Sequence, residues 1–560
     1  MNRRHARRAA RAKVPTGFVS QPEPRTIGSF AKGKQIIAGN LLYAGYLLEV
    51  SDSSVWESAP PSEAFADALH GFGWMDDLAA LGDRAARDRA QAWTFDWIKH
   101  YGGGKGPGWT PDLTGRRLIR WINHALFLLM GQEADAAEEF YRSLGQQCLF
   151  LGKRWPYASP GLPRFEALTG LIYAGLSLTG MEEHVAPAMK GLARECTDQI
   201  STAGGIPTRN PEELLEVFTL LNWAALALAE SGRLPSPEHI QAIERIAPTL
   251  RALRHADGGL ARFHGGGRGA EGRLDQALAT SGVRSVLTGG LAMGYARLHG
   301  GRTSLIMDAD APPQGAASVN AHASTLAMEI TSGRRPLIVS CGSGVDFGDA
   351  WRKAGRATPS HSVLGLSGWS SSQLSTSGDG GAYAPLDGGP TEVHAQSFTE
   401  SGHGGVVAGH DAYRASHGLS YLRRIEMSVD GRMLTGEEKL SVGTDQDQRL
   451  FRAALGRTGL TGIRFAVHFH LHPDVDAAID LGGAAVSLAL RSGEIWVMRY
   501  EGPAELKLEP SVYLERGRLK PRSAQQVILS GVALDYETRI RWSLAKAQDT
   551  PVGLRDLVQD

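Results

Sequence analysis

The period of the hydrophobic residues changes along this 560-residue chain, and that change constrains the fold more than any other feature. Between about residues 64 and 292, apolar side chains recur at helical spacing, as in 118–130 and 214–230. From about residue 303 the period falls towards two, as in 464–471 and 485–490. A run of helices followed by a run of strands predicts two domains, an all-α domain and then a sandwich of antiparallel sheets.

Composition excludes several classes of protein. The chain has 59 basic and 59 acidic residues, so its formal charge is zero, which argues against a protein whose whole surface binds nucleic acid. Hydrophobic residues make up 42% of the chain, enough for a packed core. The cysteines, Cys148, Cys196 and Cys341, are too few and too far apart for a disulfide framework or a cysteine-based zinc cluster.

The N-terminal segment is basic. Residues 1–13 contain six basic side chains and no acidic one, and no apolar core follows them, so no secretory signal is predicted. The best apolar run, 36–50, is too short to span a bilayer. We therefore expect a soluble, cytoplasmic protein with a disordered basic arm over 1–35. The alternative for the arm is contact with nucleic acid or an anionic membrane.

Three groups of histidines are candidates for chemistry. The first group is His468, His470 and His472, which alternate along a predicted strand and so share a face; it predicts either a metal site or a polar sheet face with hydrogen-bonded imidazoles. The second group is His322 and His361, and a histidine that enters a strand in this way is more often structural. The third group, His403, His410 and His417, lies in a glycine-rich stretch typical of loops.

A helix start is predicted at Asn210. Asn210 is a good N-cap, Pro211 suits the first turn, and Glu212 and Glu213 complement the helix dipole. The two glutamates are also candidates for a hydrolase pair, but adjacent residues rarely reach the ~5–9.5 Å that glycoside hydrolysis needs. The glycine cluster 264–269 lacks a preceding strand, so it is interpreted as an interdomain loop, with phosphate binding as the alternative.

Several segments, in their order and spacing, resemble the bacterial heparinase II/III-like family. The resemblance runs from about residue 35 to 546 and implies an incomplete (α/α) toroid followed by an antiparallel β-sandwich. The expected organisation is a basic arm over 1–35, a toroid over 36–300, a sandwich over 301–550 and a tail over 551–560, of which the resemblance implies the toroid and the sandwich. The segments that carry it are 69–74, 114–124, 308–329, 336–342, 464–473 and 509–544.

The family's lyases cleave polysaccharides that contain uronic acids by β-elimination, in a cleft between toroid and sandwich. One group must neutralise the uronate carboxylate, a base must remove the C5 proton, and an acid must protonate the departing O4. The resemblance therefore implies a polysaccharide lyase whose partner is an acidic polysaccharide or oligosaccharide, with a homodimer as a possible assembly. Family lyases are commonly periplasmic, which gives the alternative location.

The family's residues carry over only in part. Asn320 stands where the family has its first sandwich histidine, whereas His322 and His361 match later ones. In metal-containing members these two histidines join an aspartate located where this chain has Ser340. No cofactor is required for the expected reaction, and a zinc ion held by His322 and His361 is the metal hypothesis. Glu213 replaces the family's catalytic tyrosine.

The resulting site hypothesis gives each residue a role. Arg209 neutralises the carboxylate with help from Asn210, His322 or His361 is the base, and Tyr295 is the acid, with Tyr413 or Tyr157 as alternatives. The expected substrate-binding residues are Asn320, Arg164, Glu213, Tyr413 and Trp223. Because usual catalytic positions are substituted, a second hypothesis is a catalytically degenerate protein for glycan binding or cell-envelope polysaccharide biogenesis. A hydrolase using Glu212 and Glu213 ranks last.

Overall fold

The chain divides into two compact units. The computed structural model describes residues 1–14, 17–50, 54–287, 289–376, 381, 383–400 and 402–548. The first unit comprises Met1–Ile206, Glu213–Ala247 and Gly272–Ser285, and the second comprises Pro207–Glu212, Pro248–Glu271 and Val286–Asp560. The continuous part of the second unit therefore begins before the predicted boundary at residue 300, and the unit also includes the earlier segments Pro207–Glu212 and Pro248–Glu271. Arg209 shows why the first of these segments belongs to it, because the Arg209 side chain hydrogen-bonds to the backbone carbonyls of residues 293 and 294.

The described residues before 282 are mainly helical, as the period from about residue 64 predicts, with two further helices before that stretch and one short hairpin. Proline at the first turn of α6 and the Asp83 side chain at the N-terminus of α5 mark helix starts. The helices are α1 (Asn2–Ala9), α2 (Phe30–Ile37), α3 (Glu63–His70), α4 (Trp74–Leu81), α5 (Arg84–Tyr101), α6 (Pro111–Asn123), α7 (Ala125–Leu129), α8 (Ala134–Arg154), α9 (Leu162–Ser177), α10 (Val185–Gln199), α11 (Pro211–Glu230), α12 (Pro237–Ala252) and α13 (Arg273–Ser281), and the hairpin is β1 (Asn40–Tyr43) with β2 (Tyr46–Glu49).

Tryptophans fill the core of the helical unit. Trp74, Trp97 and Trp121 are fully buried. Trp97 and Trp121 meet each other and Phe72 edge to face, and the Trp74 ring is tilted against Phe72 with 4.7 Å between ring centres. Helices α6 and α9 approach closely at Gly115 and Gly170, where a Cβ on Gly170 would lie 2.5 Å from the Gly115 Cα. Among the residues described, none of the helices combines the length and apolar character needed to cross a bilayer.

The prediction of a disordered arm is wrong for residues 2–9, which form α1. Ala6 and Ala9 are buried, and the Arg154 guanidinium at the end of α8 donates to the Asn2 side chain at 2.7 Å. The Gln146 amide of α8 also donates to the Ala10 carbonyl at 2.9 Å. Contacts with α8 therefore supply the stability that so short a helix lacks on its own.

The second unit is built from antiparallel strands, as the period-two pattern predicts. Its strands are β3 (Tyr295–Gly300), β4 (Thr303–Asp308), β5 (Met328–Ser332), β6 (Arg335–Val339), β7 (Leu364–Leu366), β8 (Gln373–Leu374), β9 (Leu386–Asp387), β10 (Val393–Glu400), β11 (His403–His410), β12 (Ser420–Met427), β13 (Met433–Ser441), β14 (Ile463–Leu471), β15 (Val475–Asp480), β16 (Ala485–Leu490), β17 (Ile495–Glu501), β18 (Ala504–Tyr513), β19 (Arg522–Ala533) and β20 (Glu537–Gln548), and its helices are α14 (Asp349–Gly355), α15 (Arg414–His417) and α16 (Asp445–Arg457).

Two large sheets form a sandwich. One has the order β18-β19-β14-β6-β5-β4-β3, with β7 also paired to β14, and the other has the order β10-β11-β12-β13-β20-β17-β16-β15. The sheets pack face to face, with Phe469 of β14 against Trp542 of β20 at 5.3 Å between ring centres. The prediction that His403, His410 and His417 lie on loops is wrong: His403 begins β11, His410 ends it, and His417 ends α15.

Candidate functional site

Asp308, the last residue of β4, is the charged group around which the site is arranged. Its buried carboxylate accepts hydrogen bonds from the Arg209 guanidinium at 2.6 Å and from the Ser324 hydroxyl at 2.8 Å. His264 Nε2 lies 3.3 Å from it. Burial alone would raise the pKa of this carboxyl, but Arg209 and His264 outweigh burial and bring the pKa of Asp308 down to about 2. Asp308 is therefore an anion at neutral pH.

His264 joins Asp308 to the segment that carries His322. The His322 backbone N–H donates to His264 Nδ1 at 3.2 Å, so the ring proton is on Nε2, the nitrogen that faces Asp308. Burial lowers the pKa of His264, against the opposing effect of Asp308, and the ring is a neutral donor. His264 thus positions His322.

His322 and His361 come together, although 39 positions separate them in the sequence. Their ring centres are 5.1 Å apart, and both rings are buried. Burial lowers the pKa of His361 to about 3 and that of His322 well below its usual range, so both are neutral at pH 7. Among the described residues, His322 Nδ1 and both ring nitrogens of His361 have no hydrogen-bond partner. The pair is therefore the part of this network with unused proton-accepting capacity.

Arg423 ties the two histidine segments to the opposite sheet. Its Nη1 donates to the backbone carbonyls of Leu326 at 2.7 Å and Ser362 at 2.8 Å. Its charge is balanced by Glu438, 3.0 Å away between the sheets. This buried ion pair fixes the backbone next to His361 and close to His322.

Arg209 is fully engaged inside the second unit. Besides its bond to Asp308, its guanidinium donates to backbone carbonyls of residues 293, 294, 310 and 311 at 2.7–3.3 Å. Its φ is +49°, a left-handed conformation that is uncommon outside glycine. Asn210 caps α11 as predicted, accepting from the Glu212 backbone N–H at 3.0 Å. In this arrangement Arg209 has no donor left for a uronate.

The Tyr295 side chain is also bonded to residues of this network. Its hydroxyl donates to the Arg209 carbonyl at 2.6 Å, and its ring lies under the Arg209 guanidinium. The side chain is 1% exposed, and burial raises the pKa of the phenol well above its usual range. The hydroxyl proton therefore has a fixed internal acceptor.

A second buried cluster, absent from the sequence-based hypothesis, lies on the same sheet. Glu329 of β5 pairs with Arg262 at 3.2 Å and lies 3.4 Å from His255. Arg262 also donates to the Ser340 carbonyl at 3.1 Å and lies over the Tyr513 ring. Burial opposes ionisation, but Arg262 and His255 lower the pKa of Glu329 to about 2. The cluster repeats the combination of carboxylate, arginine and histidine seen at Asp308.

Asn320 is the exposed residue at the edge of the site, and the glycine loop, in which Gly265 and Gly266 are buried, lies beside it. Asn320 accepts from Arg352 at 2.5 Å. The Gly267 N–H donates to the Glu212 carboxylate at 2.7 Å, and Arg516 bonds both Glu212 and the Gly265 carbonyl. A carboxylate of the chain thus occupies the loop amide that a phosphate would need, which favours the predicted structural role of this loop.

The other predicted site residues are divided between the two units. Tyr413 is buried, with its hydroxyl donating to the Leu364 carbonyl at 3.3 Å. Arg164, Glu213 and Trp223 belong to the helical unit. There Arg164 pairs with Glu195 at 3.1 Å, Glu213 is half-buried in the first turn of α11, and Trp223 is buried in the same helix.

The predicted zinc ion lacks a full set of ligands. The segment that contains Ser340 lies beside the segment that contains His361, because the Cys341 N–H donates to the Ser360 carbonyl and the Ser362 hydroxyl to the Val339 carbonyl. The buried Ser340 hydroxyl has no partner among the described residues. Within those residues, no three His, Cys, Asp or Glu side chains could hold a metal ion together. The two histidines therefore do not fit the implied three-ligand site, and no chemistry is assigned to a metal.

His468, His470 and His472 have protein partners. His468 bonds Gln526 at 3.0 Å, and His470 bonds the Ser511 hydroxyl and the Pro359 carbonyl at 2.8 Å. His472 lies 3.6 Å from Asp474. These contacts favour the interpretation as a polar sheet face.

Comparison with known proteins places this site in context. The family model described as heparinase II/III-like, C-terminal, matches residues 284–543. FtsZ-localized protein C of Caulobacter vibrioides (strain NA1000 / CB15N) is 32% identical over 558 residues, covering 95% of this chain and 91% of that protein. The crystal structure of heparinase III has a TM-score of 0.70 at 14% identity, covering 96% of this chain and 88% of its own. Heparan sulfate lyase HepC from Pedobacter heparinus has a TM-score of 0.57 at 14% identity, covering 98% and 88%.

The likeness to the solved lyases confirms the predicted architecture, an incomplete (α/α) toroid followed by an antiparallel β-sandwich. The family match includes Asp308, His322 and His361. The relative matches nearly the whole chain. The chain belongs to the heparinase II/III-like family.

Proposed function

We propose that this protein is a heparinase-like protein that has lost its lyase activity. It works as a binding protein at the place in the cell where FtsZ is located. The observation that supports this best is the commitment of Arg209 and Tyr295 to each other and to Asp308. These are the groups assigned to neutralise the uronate and to protonate the leaving oxygen. Neither has a free donor in this arrangement, so the residues that would carry β-elimination act here as structural partners.

Burial supports the same conclusion. β-Elimination requires a base within hydrogen-bond reach of the C5 proton and a donor at the departing oxygen. His322, His361, Arg209 and Tyr295 are all at least nine-tenths buried. A polymeric substrate could reach Arg209 or Tyr295 only by displacing their internal hydrogen bonds, and His322 or His361 only by opening the packing that buries them.

The name of the relative indicates where such a protein would act. FtsZ-localized protein C matches nearly the whole chain, so the correspondence includes both units. We extend its localisation to this chain, and with it a role in bacterial cell division. This goes with the cytoplasmic location predicted from the sequence and makes FtsZ filaments the first partner to test.

Co-sedimentation with FtsZ tests the proposal. The full-length protein is mixed with FtsZ filaments formed in GTP and centrifuged, with FtsZ in GDP as the unpolymerised control. We expect the protein in the filament pellet only. The H322Q/H361Q double variant should sediment as the wild type does, because binding does not use the buried imidazoles. Absence from the pellet at any filament concentration would contradict the proposal.

One observation favours a second function, a lyase acting on an acidic polysaccharide or oligosaccharide. His322 Nδ1 and the His361 nitrogens are neutral and lack partners among the described residues. An imidazole in that state can accept the C5 proton of a uronate. The substrate would then have to take the place of the bonds that now occupy Arg209.

Ultraviolet absorbance separates the two functions, because β-elimination leaves a conjugated C4–C5 double bond. Uronic-acid polysaccharides are incubated with the wild type and with the H322Q/H361Q variant. A flat trace for both, with wild-type sedimentation on FtsZ, is the expected result. Absorbance that rises with the wild type and not with the variant would replace the binding proposal with the lyase.

A further inference from the structure

The sheet that contains β10 and β15 carries a groove on its outer face, apart from the site around Asp308. Trp542 of β20 packs inwards against the other sheet, so its neighbours Arg541 and Ser543 face outwards. A depression of about 590 Å³ lies on this outer face, within the range of roughly 300–1,000 Å³ that is typical of small-ligand sites. Most of its lining comes from the neighbouring strands β12, β13, β20 and β17.

The floor of the groove is made of short hydroxyl side chains, and charged side chains surround it. The hydroxyls belong to Thr435 and Ser543, which are half-buried and lie opposite each other in the register of β13 and β20. Within the described residues, neither hydroxyl forms a hydrogen bond. Three arginines and three glutamates give the lining no net charge; they are Arg424, Arg499, Arg541, Glu426, Glu437 and Glu501.

Four of these six charges are paired inside the protein. Arg424 donates to the Glu426 carboxylate at 2.7 Å, and Arg541 donates to the Glu437 carboxylate at 3.0 Å. The remaining cation and anion both lie on β17.

Arg499 and Glu501 stay apart, although their spacing allows an ion pair. Both are exposed, and as alternate residues of one strand they share a face, with Cα atoms about 6.7 Å apart. In the part of the chain that the structure describes, neither side chain forms a hydrogen bond or an ion pair. A guanidinium and a carboxylate are therefore both available to a ligand in the groove. Opposite charges two positions apart on other strands do pair, at 2.7–2.9 Å: Arg424 with Glu426, Lys507 with Glu505, and Arg539 with Glu537.

We propose that this groove binds a short zwitterionic peptide of two or three residues, with its terminal carboxylate on Arg499 and its terminal ammonium on Glu501. Such a peptide spans about 7–10 Å when extended, a length that two long side chains about 6.7 Å apart at their Cα atoms can bracket. Ser543 lies opposite Arg499, and Thr435 lies next to Ser543, so both hydroxyls are placed to bond the peptide amides.

The charges of the groove favour a zwitterion over a sugar. An acidic sugar would pair with Arg499 but would bring a second anion to the unpaired Glu501 carboxylate. A neutral sugar would cover both charges without compensating either of them. A ligand that carries one charge of each sign satisfies both groups and keeps the groove neutral.

Isothermal titration calorimetry of the full-length protein tests the ligand class. The probe is trialanine, and blocking its amino terminus by acetylation or its carboxyl terminus by amidation removes one charge at a time. We expect saturable binding of trialanine, weakened at least about tenfold by either modification. Absence of binding up to about 10 mM trialanine would overturn the proposal, as would equal affinity for the blocked peptides. Tighter binding of glucose or glucuronic acid than of trialanine would reassign the groove to a saccharide.

Substitution assigns each end of the peptide to its partner. R499Q should bind trialanine at least about tenfold more weakly and no longer distinguish it from the amidated peptide. E501Q should no longer distinguish trialanine from the acetylated peptide. The controls E505Q and K507Q remove charges at the same spacing on β18 and should change binding by no more than about twofold. Equal weakening by the controls, or discrimination that survives in R499Q and E501Q, would overturn the assignment.

A variant that keeps every charge locates the binding independently. T435W fills the floor of the groove and should abolish trialanine binding, with circular dichroism confirming the fold. Unchanged binding in folded T435W would place the peptide elsewhere and overturn the proposal. The H322Q/H361Q variant should bind trialanine as the wild type does, because the groove uses neither histidine. Loss of binding in that variant, if folded, would overturn the separation of the two sites.

Discussion

Each unit buries an arginine, and the two units stabilise it differently. Arg117 in the helical unit donates to Gln147 at 2.7 Å and to the His70 and Gly108 carbonyls at 3.0 and 3.1 Å. Its guanidinium lies 4.0 Å from the centre of the Trp97 ring. Arg209 in the sheet unit instead has the Asp308 carboxylate at 2.6 Å.

The pKa values of Arg117 and Arg209 shift in opposite directions. Burial lowers the pKa of Arg117 to about 9, because no carboxylate is among its bonded partners. Burial acts on Arg209 as well, but Asp308 reverses it and raises the pKa of Arg209. Carbonyls and a π face thus hold a cation at a cost, whereas a buried counter-ion makes the charge part of the structure. The same contrast predicts how each unit responds to substitution and to pH.

The largest effect is expected from separating Arg209 and Asp308. R209M leaves Asp308 as a buried anion without its main partner, so it should lower the free energy of unfolding by about 3–5 kcal/mol. Urea unfolding of the full chain measures this, with R518M at an exposed position as the control. The double variant R209M/D308N should be less destabilised than the sum of the single variants. Additive losses would show that the pair is not coupled.

Glu166 sharpens the comparison through pH. Its carboxylate accepts from Arg116 at 2.6 Å, yet burial outweighs Arg116 and raises the pKa of Glu166 to about 7. A carboxyl whose pKa is higher in the folded state than unfolded stabilises the fold below the unfolded pKa, and that stability is lost as the pH rises through about 7. Between pH 5 and pH 8 the loss should be about 3 kcal/mol. Urea unfolding at both pH values should show this dependence in the wild type and not in E166Q.

Asp308 should give the opposite dependence in the sheet unit. Its folded pKa of about 2 lies below the usual value of 3.8, so its contribution is complete above pH 4 and is lost as the pH falls through about 2. The expected loss is about 2 kcal/mol, which the folded D308N variant should not show. Between pH 5 and pH 3 about half of this loss, about 1 kcal/mol, should appear in urea unfolding of the wild type and not of D308N. A steeper acid loss in D308N would reverse the assigned sign.

The sequence predicts the architecture well because that depends on local period. The helical spacing up to residue 292, the alternation after 303 and the cap at Asn210 are each properties of a short stretch. The resemblance also points to His322 and His361, which the fold brings within 5.1 Å. The helix at residues 2–9 escapes prediction because its stability comes from contacts with α8, far away in sequence.

The charged partners of the site depend on long-range packing and could not be read from local patterns. The sequence-based hypothesis assigns Arg209 to a substrate carboxylate from its residue type and its position relative to the family's motifs. Its actual partner, Asp308, lies 99 positions away. One signal was available: Asp308 directly follows the apolar residues 305–307, and an acid that ends a buried strand needs a cation. Glu329 lies inside the buried strand β5, and its partner Arg262 is likewise distant, 67 positions away in the sequence.

The smallest effect is expected at Arg117, and it decides whether the comparison holds. R117M removes donors from the His70 and Gly108 carbonyls, which are then buried without them. It also removes a cation whose burial is itself costly, as its lowered pKa shows. The two changes offset each other, so the free energy of unfolding should fall by only about 1–2 kcal/mol. Urea unfolding of R117M beside R209M measures the difference. If R117M costs as much as R209M, carbonyls and an indole face hold a buried arginine as strongly as a carboxylate does, and the contrast between the two units fails.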